Sequence, residues 1–380
     1  MQPGQGAAAA PRVRRGRQVA ADDGRGPGGR CGRGRAVNAT EAIRERLCAA
    51  TGPVRIVGSG SRARHLPARA DATALDLSDL REIVRLDHGD QTCTVECGVP
   101  LATLDAALRE HDLELPCLGG GTAEGTVGGL FACDPFGPGN EGGQSPRSLL
   151  LGLDAVLADG TVFKAGARVV KSVAGFDVHK LFVGSQGRLF VAARLHLRLK
   201  PRPRAEQWFT NDDLDEAAAF RLLHALRQEP LPLPVLQLRR DSDGSHAVMG
   251  RAAGRAGYVT GVVQRHGLHS VSAPTSFHLD PPPRGELLTG LAVPSALPEL
   301  LRAVPAAATF TWLGGGRFQV ALPDPGASDR LLAALPNVPA SGVLAVATGE
   351  RHGRGTPIDP GQARLADALK IALDPDGTLV

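Results

Sequence analysis

Three glycine-rich segments carry the residue types and spacing that most directly suggest chemistry. The first, residues 54–63, reads VRIVGSGSRA and leads from an apolar run into a turn with two glycines. The second, 119–130, reads GGGTAEGTVGGL, and the third, 184–191, reads GSQGRLFV. Glycine lets a phosphate approach the main chain, and consecutive backbone N–H groups in such turns converge on anions. Two such turns that bracket one strand–helix unit are suited to hold the two ends of a diphosphate.

The first segment has two alternative interpretations. Gly58, Gly60 and Ala63 match the Gly-x-Gly-x-x-Ala dinucleotide fingerprint of a Rossmann unit. That fold requires a helix directly after the turn and then a parallel strand. Pro67 would interrupt such a helix, and the next strand-like stretch begins near Thr73, too soon for a crossover helix. A purely structural turn is the other alternative.

Groups for acid–base catalysis are sparse in this sequence. Tyr258 is the only tyrosine, and most histidines of the second half stand in positions typical of solvated or structural residues. Arg351-His352 follows a predicted strand and combines a carboxylate-binding group with a proton acceptor. These two residues are the catalytic candidates, and a solvated turn is the alternative.

The cysteines do not form a metal-binding pattern. None of the six stands in a C-x-x-C pair. Cys93 and Cys97 lie on one face of a strand-like stretch, which favours small buried apolar residues over ligands. We therefore expect neither an iron–sulfur nor a zinc site in this chain. The first residues lack a secretion signal, so a reducing cytoplasm is the expected location.

The elements that must position these groups divide the chain into three parts: residues 1–36, 37–203 and 204–380. Residues 1–36 hold eight arginines and two aspartates, so this segment accounts for the net charge of +4. We expect a disordered tail, with a nucleic-acid-binding arm as the alternative. The tail has no aromatic residue for stacking on bases, and the rest of the chain is weakly acidic, so nucleic acid is not the expected partner. No apolar run is long enough to span a membrane.

Residues 37–203 read as alternating strands and short helices. Expected helices cover Thr40–Ala50 with Thr40 as N-cap, Leu101–His111, and Asp177–Val183 capped by Asp177. Asp159-Gly160 predicts a type I′ hairpin turn. Leu189–Leu199 alternates apolar and polar residues, which predicts a long strand in a half-solvated sheet.

Residues 204–380 predict a smaller α+β domain of the split βαβ, or ferredoxin-like, type. The expected helices and strands are Asp215–Gln228, Ser295–Val304, Ser328–Leu335 and Gln362–Ala372, and Val235–Arg240, Glu286–Val293, Arg317–Leu322 and Val343–Ala347. The sequence shows no internal repeat.

The order of these motifs resembles a known family. After the first glycine turn come GVPLATL at 98–104, GTVGG at 125–129, Asp159-Gly160, KSVAGFD at 171–177 and GSQG at 184–187. This order is similar to that of FAD-binding domains of the p-cresol methylhydroxylase and vanillyl-alcohol oxidase (PCMH) type. Within that family it most resembles the FAD-binding accessory subunit of bacterial glycolate oxidase. Residues 54–203 carry the resemblance, and LKIALDPDG at 369–377 looks like the C-terminal helix and turn of the family.

The resemblance implies a cofactor and the residues that bind it. Non-covalent FAD is expected, because family members with covalent flavin often have histidine where Ser61 stands. The expected FAD-binding residues are Gly58, Ser59, Gly60, Ser61 and Arg62 at the pyrophosphate, Gly125, Thr126, Gly128 and Gly129 along the flavin and ribityl chain, and Gly187, Leu189 and Val191 near the adenine or isoalloxazine edge.

The resemblance also implies a function and partners. The chain would be the FAD-binding subunit of a dehydrogenase for 2-hydroxy acids such as glycolate or D-lactate. It would work with a larger FAD-binding subunit and an iron–sulfur subunit, in the cytoplasm or at the periphery of the inner membrane through those partners. Gln186, Arg188 and Phe190 depart from the family pattern in a segment of close approach. The alternative function is therefore a non-catalytic scaffold subunit that has lost flavin binding.

Overall fold

The computed structural model describes residues 39–61, 69–120, 124–134, 144–167, 176–231, 233–274, 277, 279, 285–324, 327–334, 341–346 and 360–380. The predicted basic tail lies outside these residues. In the first part of the chain the helices and strands are α1 (Ala39–Ala49), β1 (Val54–Val57), β2 (Thr73–Asp76), β3 (Ile83–Asp87), β4 (Thr92–Glu96), α2 (Leu101–Arg109), β5 (Leu113–Glu114), α3 (Val127–Cys133), α4 (Pro146–Leu149), β6 (Leu150–Val156), β7 (Val162–Gly166), β8 (Val191–Arg198) and β9 (Lys200–Pro201), with 3₁₀ helices at Pro116–Gly120 and Val178–Phe182.

The first domain contains two main sheets. Strands β3, β4, β8, β6 and β7 form an antiparallel five-stranded sheet in that order among the described residues. Strands β1 and β2 pair in parallel beside it. Helices α2 and α3 cover one face of the large sheet through Leu104, Leu108 and Phe131, while α1 and β1 cover the other through Ile43 and Val54. The sheet is therefore a middle layer between two apolar cores.

This layering corrects the prediction of a half-solvated sheet. Strand β8 begins at Val191 rather than Leu189 and is buried on both faces, so that even the side chain of His196 is buried. The polar side of the alternation faces α1 and its neighbours instead of water. Thr94 Oγ1 lies 3.0 Å from His196 Nδ1, and His196 Nε2 lies 3.6 Å from Asp154 Oδ1. The predicted apolar face is also divided, because Val191 and Ala193 belong to the core beside α1, whereas Leu195 and Leu197 belong to the core beneath α2 and α3.

Three local predictions are wrong in detail. Thr40 lies inside α1 rather than at its N-cap. Asp177 makes no side-chain capping bond, and the segment after it is a 3₁₀ helix. At the hairpin between β6 and β7 only Gly160 has positive φ (85°), whereas a type I′ turn requires it at both central residues. Asp159 instead accepts a hydrogen bond from the N–H of Thr161 at 2.8 Å.

The second domain consists of the elements β10 (Ala205–Leu214), α5 (Glu216–Arg227), β11 (Val235–Arg240), β12 (His246–Gly254), α6 (Ala256–Arg265), β13 (His269–Val271), β14 (Glu286–Ala292), α7 (Leu297–Ala303), β15 (Thr309–Leu313), β16 (Arg317–Leu322), α8 (Ala327–Ala334) and β17 (Ser341–Val346). A 3₁₀ helix covers Pro294–Ala296. The described strands form one antiparallel sheet in the order β13-β10-β12-β11-β15-β16-β14-β17.

This sheet repeats one topology twice. Elements β10 to β13 follow the order βαββαβ with spatial strand order 4-1-3-2, and β14 to β17 follow the same order in mirror arrangement along the sheet. Each half is a split βαβ unit of the predicted ferredoxin-like type. The halves join where β11 pairs with β15. The helices cover one face over a core that includes Phe209, Phe310 and Trp312.

The end of the chain returns to the first domain. Helix α9 (Pro360–Leu373) leads into a turn in which Asp374 accepts hydrogen bonds from the N–H groups of Thr378 and Leu379. The N–H of Val54 donates to Thr378 O at 2.7 Å, and that of Val380 donates to Val54 O at 3.0 Å. Residues 378–380 thus extend the β1–β2 sheet, although they were assigned by sequence to the 204–380 segment. Within the described chain, no helix combines the length and apolarity needed to cross a bilayer.

Candidate functional site

The three glycine segments converge on one cleft in the first domain. The cleft is partly open to solvent. The residues that line it are distant in sequence. The three glycine segments contribute Arg55–Ser61, Gly125, Thr126, Gly128, Gly129, Gln186 and Gly187. The apolar walls are formed by Leu77, Cys97, Leu101, Leu130, Ala132, Cys133, Phe182, Phe190, Val191 and Ala192. A mostly apolar lining with a few main-chain polar groups is typical of sites for organic ligands.

The first glycine turn follows β1 directly. Gly60 has φ of 72°, a backbone conformation that favours glycine. Within the described part of the chain, the N–H groups of Ser59 and Gly60 donate to no protein acceptor. The hydroxyl of Ser59 donates to that of Ser61 at 3.3 Å. Free N–H groups in a tight glycine turn form an anion-binding nest of the kind a pyrophosphate requires.

The second glycine segment packs against the first. A Cβ on Gly58 would lie 2.4 Å from Thr126 Oγ1, so the two turns touch only because Gly58 has no side chain. Thr126 caps α3 by accepting a hydrogen bond from the N–H of Gly129 at 3.2 Å. Gly128 lies against Cys97, where a Cβ would approach Cys97 Cβ to 2.7 Å. Glycine at 58 and 128 therefore closes the wall of the cleft.

The third glycine turn closes the cleft opposite α3. Gln186 and Gly187 both have positive φ, 57° and 78°. The N–H of Gln186 donates to Ala132 O at 2.8 Å, and the N–H of Gly184 donates to Phe131 O at 3.1 Å. These bonds attach the turn to the last residues of α3.

Comparison with known proteins decides what kind of domain this is. Residues 37–166 match the sequence model of the family described as FAD binding domain. These residues are an FAD-binding domain. The resemblance to PCMH-type flavoproteins that the motif order indicates is thereby confirmed.

Relatives of this FAD-binding domain are oxidoreductases or their subunits. The chain is 34% identical over 187 residues to glycolate oxidase subunit GlcE of Escherichia coli, covering 48% of this chain and 51% of that protein. It is 31% identical over 151 residues to the mitochondrial D-lactate dehydrogenase [cytochrome] 1 of Saccharomyces cerevisiae, covering 39% and 25% of the two chains. With glycolate oxidase subunit GlcD of Bacillus subtilis the identity is 29% over 128 residues, covering 34% and 27%. The matches thus span about half or less of these relatives.

The fold extends beyond the matched domain. Solved structures of alkyldihydroxyacetonephosphate synthase superimpose with a TM-score of 0.63 over 90% of this chain and 74% of theirs, at 12% identity. At that identity the likeness shows the fold alone. It confirms the predicted α+β architecture, in which a PCMH-type FAD-binding domain is followed by a second α+β domain.

Most of the residues proposed to bind FAD lie around the cleft of the FAD-binding domain. Those that line it are Gly58, Ser59, Gly60, Ser61, Gly125, Thr126, Gly128, Gly129, Gly187 and Val191. Leu189 does not; its side chain is half-buried against the core beneath the sheet. Arg62 lies outside the described residues, as do both catalytic candidates, Arg351 and His352. Their roles stay predictions.

The departures from the family pattern have a structural explanation. Phe190 is fully buried and packs edge-on against Phe163, with ring centroids 5.2 Å apart. It also stacks on Phe182. Arg188 is exposed at the surface. Phe190 forms part of the apolar wall of the cleft, and Gln186 and Gly187 still line it.

Sequence reasoning missed several residues of the cleft. Gln186 was noted only as a departure, and no sequence signal marks its left-handed backbone. Cys97 lines the cleft wall as a buried thiol whose pKa is raised by burial. Burial also raises the pKa of Cys93 to about 12, in agreement with its prediction as a small apolar residue. These cysteines stay protonated and apolar at neutral pH.

The described histidines of the second domain and Tyr258 have structural surroundings. The Tyr258 hydroxyl donates to Leu231 O at 2.9 Å. His266 Nε2 lies 2.7 Å from the Glu229 carboxylate, and His246 is buried at the start of β12. None of the described histidines lines the cleft.

Proposed function

We propose that this chain is the FAD-binding subunit of a dehydrogenase for 2-hydroxy acids of the glycolate or D-lactate type, and that the cleft holds FAD without a covalent bond. The convergence of three glycine turns on one cleft is the observation that carries the proposal. Relatives named as glycolate oxidase subunits and D-lactate dehydrogenases support the substrate class.

The proposed orientation of FAD assigns a part of the cofactor to each group of cleft residues. The free N–H groups of the first glycine turn, with Ser61 and Arg62, would bind the pyrophosphate. Thr126 and the neighbouring glycines would lie along the ribityl chain and flavin, and Gly187 and Val191 would border a ring edge. Ser61 lacks the imidazole that the histidyl linkage requires, so the cofactor should be dissociable.

Bound FAD would supply a two-electron acceptor for the hydride on the carbon that carries the substrate hydroxyl. The chain must then bind the substrate carboxylate and accept the hydroxyl proton, which yields a 2-oxo acid. Arg351 and His352 are the proposed residues for these two tasks.

Electrons must leave the flavin after each turnover. The six cysteines include no C-x-x-C pair and offer no relay within the sequence. We therefore propose that a larger FAD-binding subunit and an iron–sulfur subunit receive the electrons, in the cytoplasm or at the periphery of the inner membrane.

The cofactor proposal is tested by purifying the chain and recording its visible spectrum before and after acid or heat denaturation. Flavin bands that leave with the supernatant are expected. Flavin retained by the denatured polypeptide would contradict non-covalent binding, and a colourless protein that also fails to bind added FAD would favour the scaffold alternative.

Gly60→Val tests the site itself. A branched side chain in the left-handed conformation at residue 60 should distort the pyrophosphate nest and abolish FAD binding. Gly52→Val is the matched control, because Gly52 also has positive φ (106°) with open space around it but lies outside the cleft. Equal flavin content in both variants would remove the first glycine turn from the site.

The subunit role is tested by turnover. The chain alone should oxidise glycolate or D-lactate poorly, and co-expression with the two partner subunits should restore dye-linked activity. Robust turnover by the purified single chain would contradict an accessory role.

A further inference from the structure

An arginine of the second domain reaches the end of helix α3. Arg317 opens strand β16, and its guanidinium donates to Asp134 O at 2.6 Å and pairs with the Asp134 carboxylate. Both side chains are largely buried, with 12% and 22% exposed. Two hydrogen bonds from one guanidinium fix both the position and the orientation of the residue that they reach.

Asp134 has a left-handed backbone conformation. It ends α3 with φ of 41° and ψ of 59°, in the left-handed region, and its N–H donates to Leu130 O at 3.1 Å. A residue other than glycine is uncommon in this region and persists where its surroundings hold it. The hydrogen bonds from the Arg317 guanidinium to Asp134 stabilise this conformation.

The third glycine turn depends on the same end of α3. Phe131 O and Ala132 O accept the N–H groups of Gly184 and Gln186. A Cβ on Gly184 would lie 3.9 Å from Asp134 Cβ, so the turn also packs beside the aspartate. A shift of Asp134 would therefore reach the backbone of Gln186, which lines the cleft.

We infer that Arg317 is a positioning residue through which the second domain holds the third glycine turn in its cofactor-binding shape. The inference rests on the proposed function in that it takes the cleft as the FAD site. Arg317 does not line the cleft, so its effect passes through Asp134 and α3.

A second arginine offers a matched control. Arg251 of β12 pairs with Glu114 of β5 at 2.9 Å, and with Glu206 of β10 at 2.5 Å. This pair also links the two domains and is also largely buried, with 11% of the arginine side chain exposed. Neither Glu114 nor Arg251 lines the cleft. Loss of Arg251 weakens domain contact without touching the turn.

The experiment compares Arg317→Met, Arg317→Lys and Arg251→Met in the full chain. One readout is the dissociation constant for FAD from flavin fluorescence. The other is hydrogen–deuterium exchange of the segment 182–190 in the FAD-free protein, where the N–H groups of Gly184 and Gln186 report directly. Arg317→Met should weaken FAD binding by about tenfold and accelerate exchange in this segment, with Arg317→Lys between it and wild type. Arg251→Met should leave both readouts at wild-type values.

Two outcomes overturn the inference. One is wild-type exchange and FAD affinity in Arg317→Met. The other is an equal loss of affinity and protection in Arg317→Met and Arg251→Met, which would mean that both arginines only hold the two domains together. A wild-type chain that binds no FAD would contradict the proposed function instead, and the exchange comparison would still decide the role of Arg317. Asp134→Asn serves as a second variant if Arg317→Met does not fold. Asparagine tolerates the left-handed backbone but lacks the charge, so faster exchange in segment 182–190 is expected, and unchanged exchange would overturn the inference.

Discussion

The cleft of the FAD-binding domain is built by the main chain, whereas one helix end in the second domain is held by a single side chain. In the cleft, Gly60 and Gly187 adopt positive φ, and Gly58 and Gly128 permit contacts that a single Cβ would prevent. In the second domain, the guanidinium of the buried Arg240 donates to four main-chain carbonyls at the end of α7.

The difference shows which structural features leave a recognisable pattern in the sequence. A site made of backbone N–H groups requires glycine at fixed spacing, which leaves a pattern in the sequence. A helix end held by one long side chain leaves no such pattern, because an arginine in a strand has the same letter whether it is buried or solvated. Changes to the glycines of the cleft wall and to Arg240 should therefore both destabilise the chain.

The largest effect is expected for Gly128→Val. Its side chain would collide with Cys97, whose main chain also binds the N–H of Gly128. We expect a loss of about 3 kcal/mol in the free energy of unfolding. Gly257→Ala in helix α6 is the control, because a Cβ there meets nothing within 4 Å. It should be neutral or slightly stabilising. Urea unfolding of both variants measures the difference, and equal stability would break the comparison.

Arg240→Met tests the second domain. It would leave the carbonyls of Leu301, Val304, Pro305 and Ala308 without their donor, and we expect about 2 kcal/mol of destabilisation. Arg239→Met is the matched control on the adjacent residue, whose side chain is 51% exposed and should contribute little. A loss as large for Arg239→Met would show that helix capping is not the cause.

The buried polar network of the first domain provides a smaller effect that sharpens the comparison. His196 holds the pKa of the Asp154 carboxyl below its ordinary value. Because the folded-state pKa is depressed, this stabilisation is present above the unfolded value of about 3.9 and is lost as pH falls through the folded pKa. Asp154→Asn should therefore flatten the acid side of a plot of melting temperature against pH. Glu299→Gln, at an exposed site, is the control and should leave the acid side of the plot unchanged. An unchanged acid side in Asp154→Asn would mean that the Asp154 carboxylate contributes nothing to stability.

No effect on stability is expected from deleting residues 1–36. This prediction rests on the absence of apolar periodicity and on the arginine content of the segment. The melting temperature of the shortened chain should equal that of the full chain within error. A loss of several degrees would show that the segment packs on the fold.

The sequence predicted some elements of the second domain to the residue and missed others. Strands β11 and β16 were predicted to the residue, and Asp215 caps α5 by accepting from the N–H of Ala218 at 2.6 Å. Strands β10 and β12 and helix α6 were missed. Strand β10 is rich in polar residues, and β12 and α6 contain small residues and glycine, so neither composition nor periodicity marked them.

For the site, the glycine spacing located all three turns, because Gly60 and Gly187 adopt positive φ and Gly128 permits a close approach to Cys97. Gln186, Asp134 and Arg317 could not be found this way. The first two adopt left-handed conformations without the usual residue, and the third acts across a domain boundary. Their roles follow from tertiary contacts, which local patterns do not record.

Residues 378–380 pair with strand β1, and they are synthesised after the whole second domain. The N-terminal half of the FAD-binding domain thus emerges first, and this edge of β1 stays unpaired until residues 378–380 have been synthesised. The first glycine turn follows β1 directly. Stable cofactor binding should consequently require residues 378–380 as well as the N-terminal half of the domain.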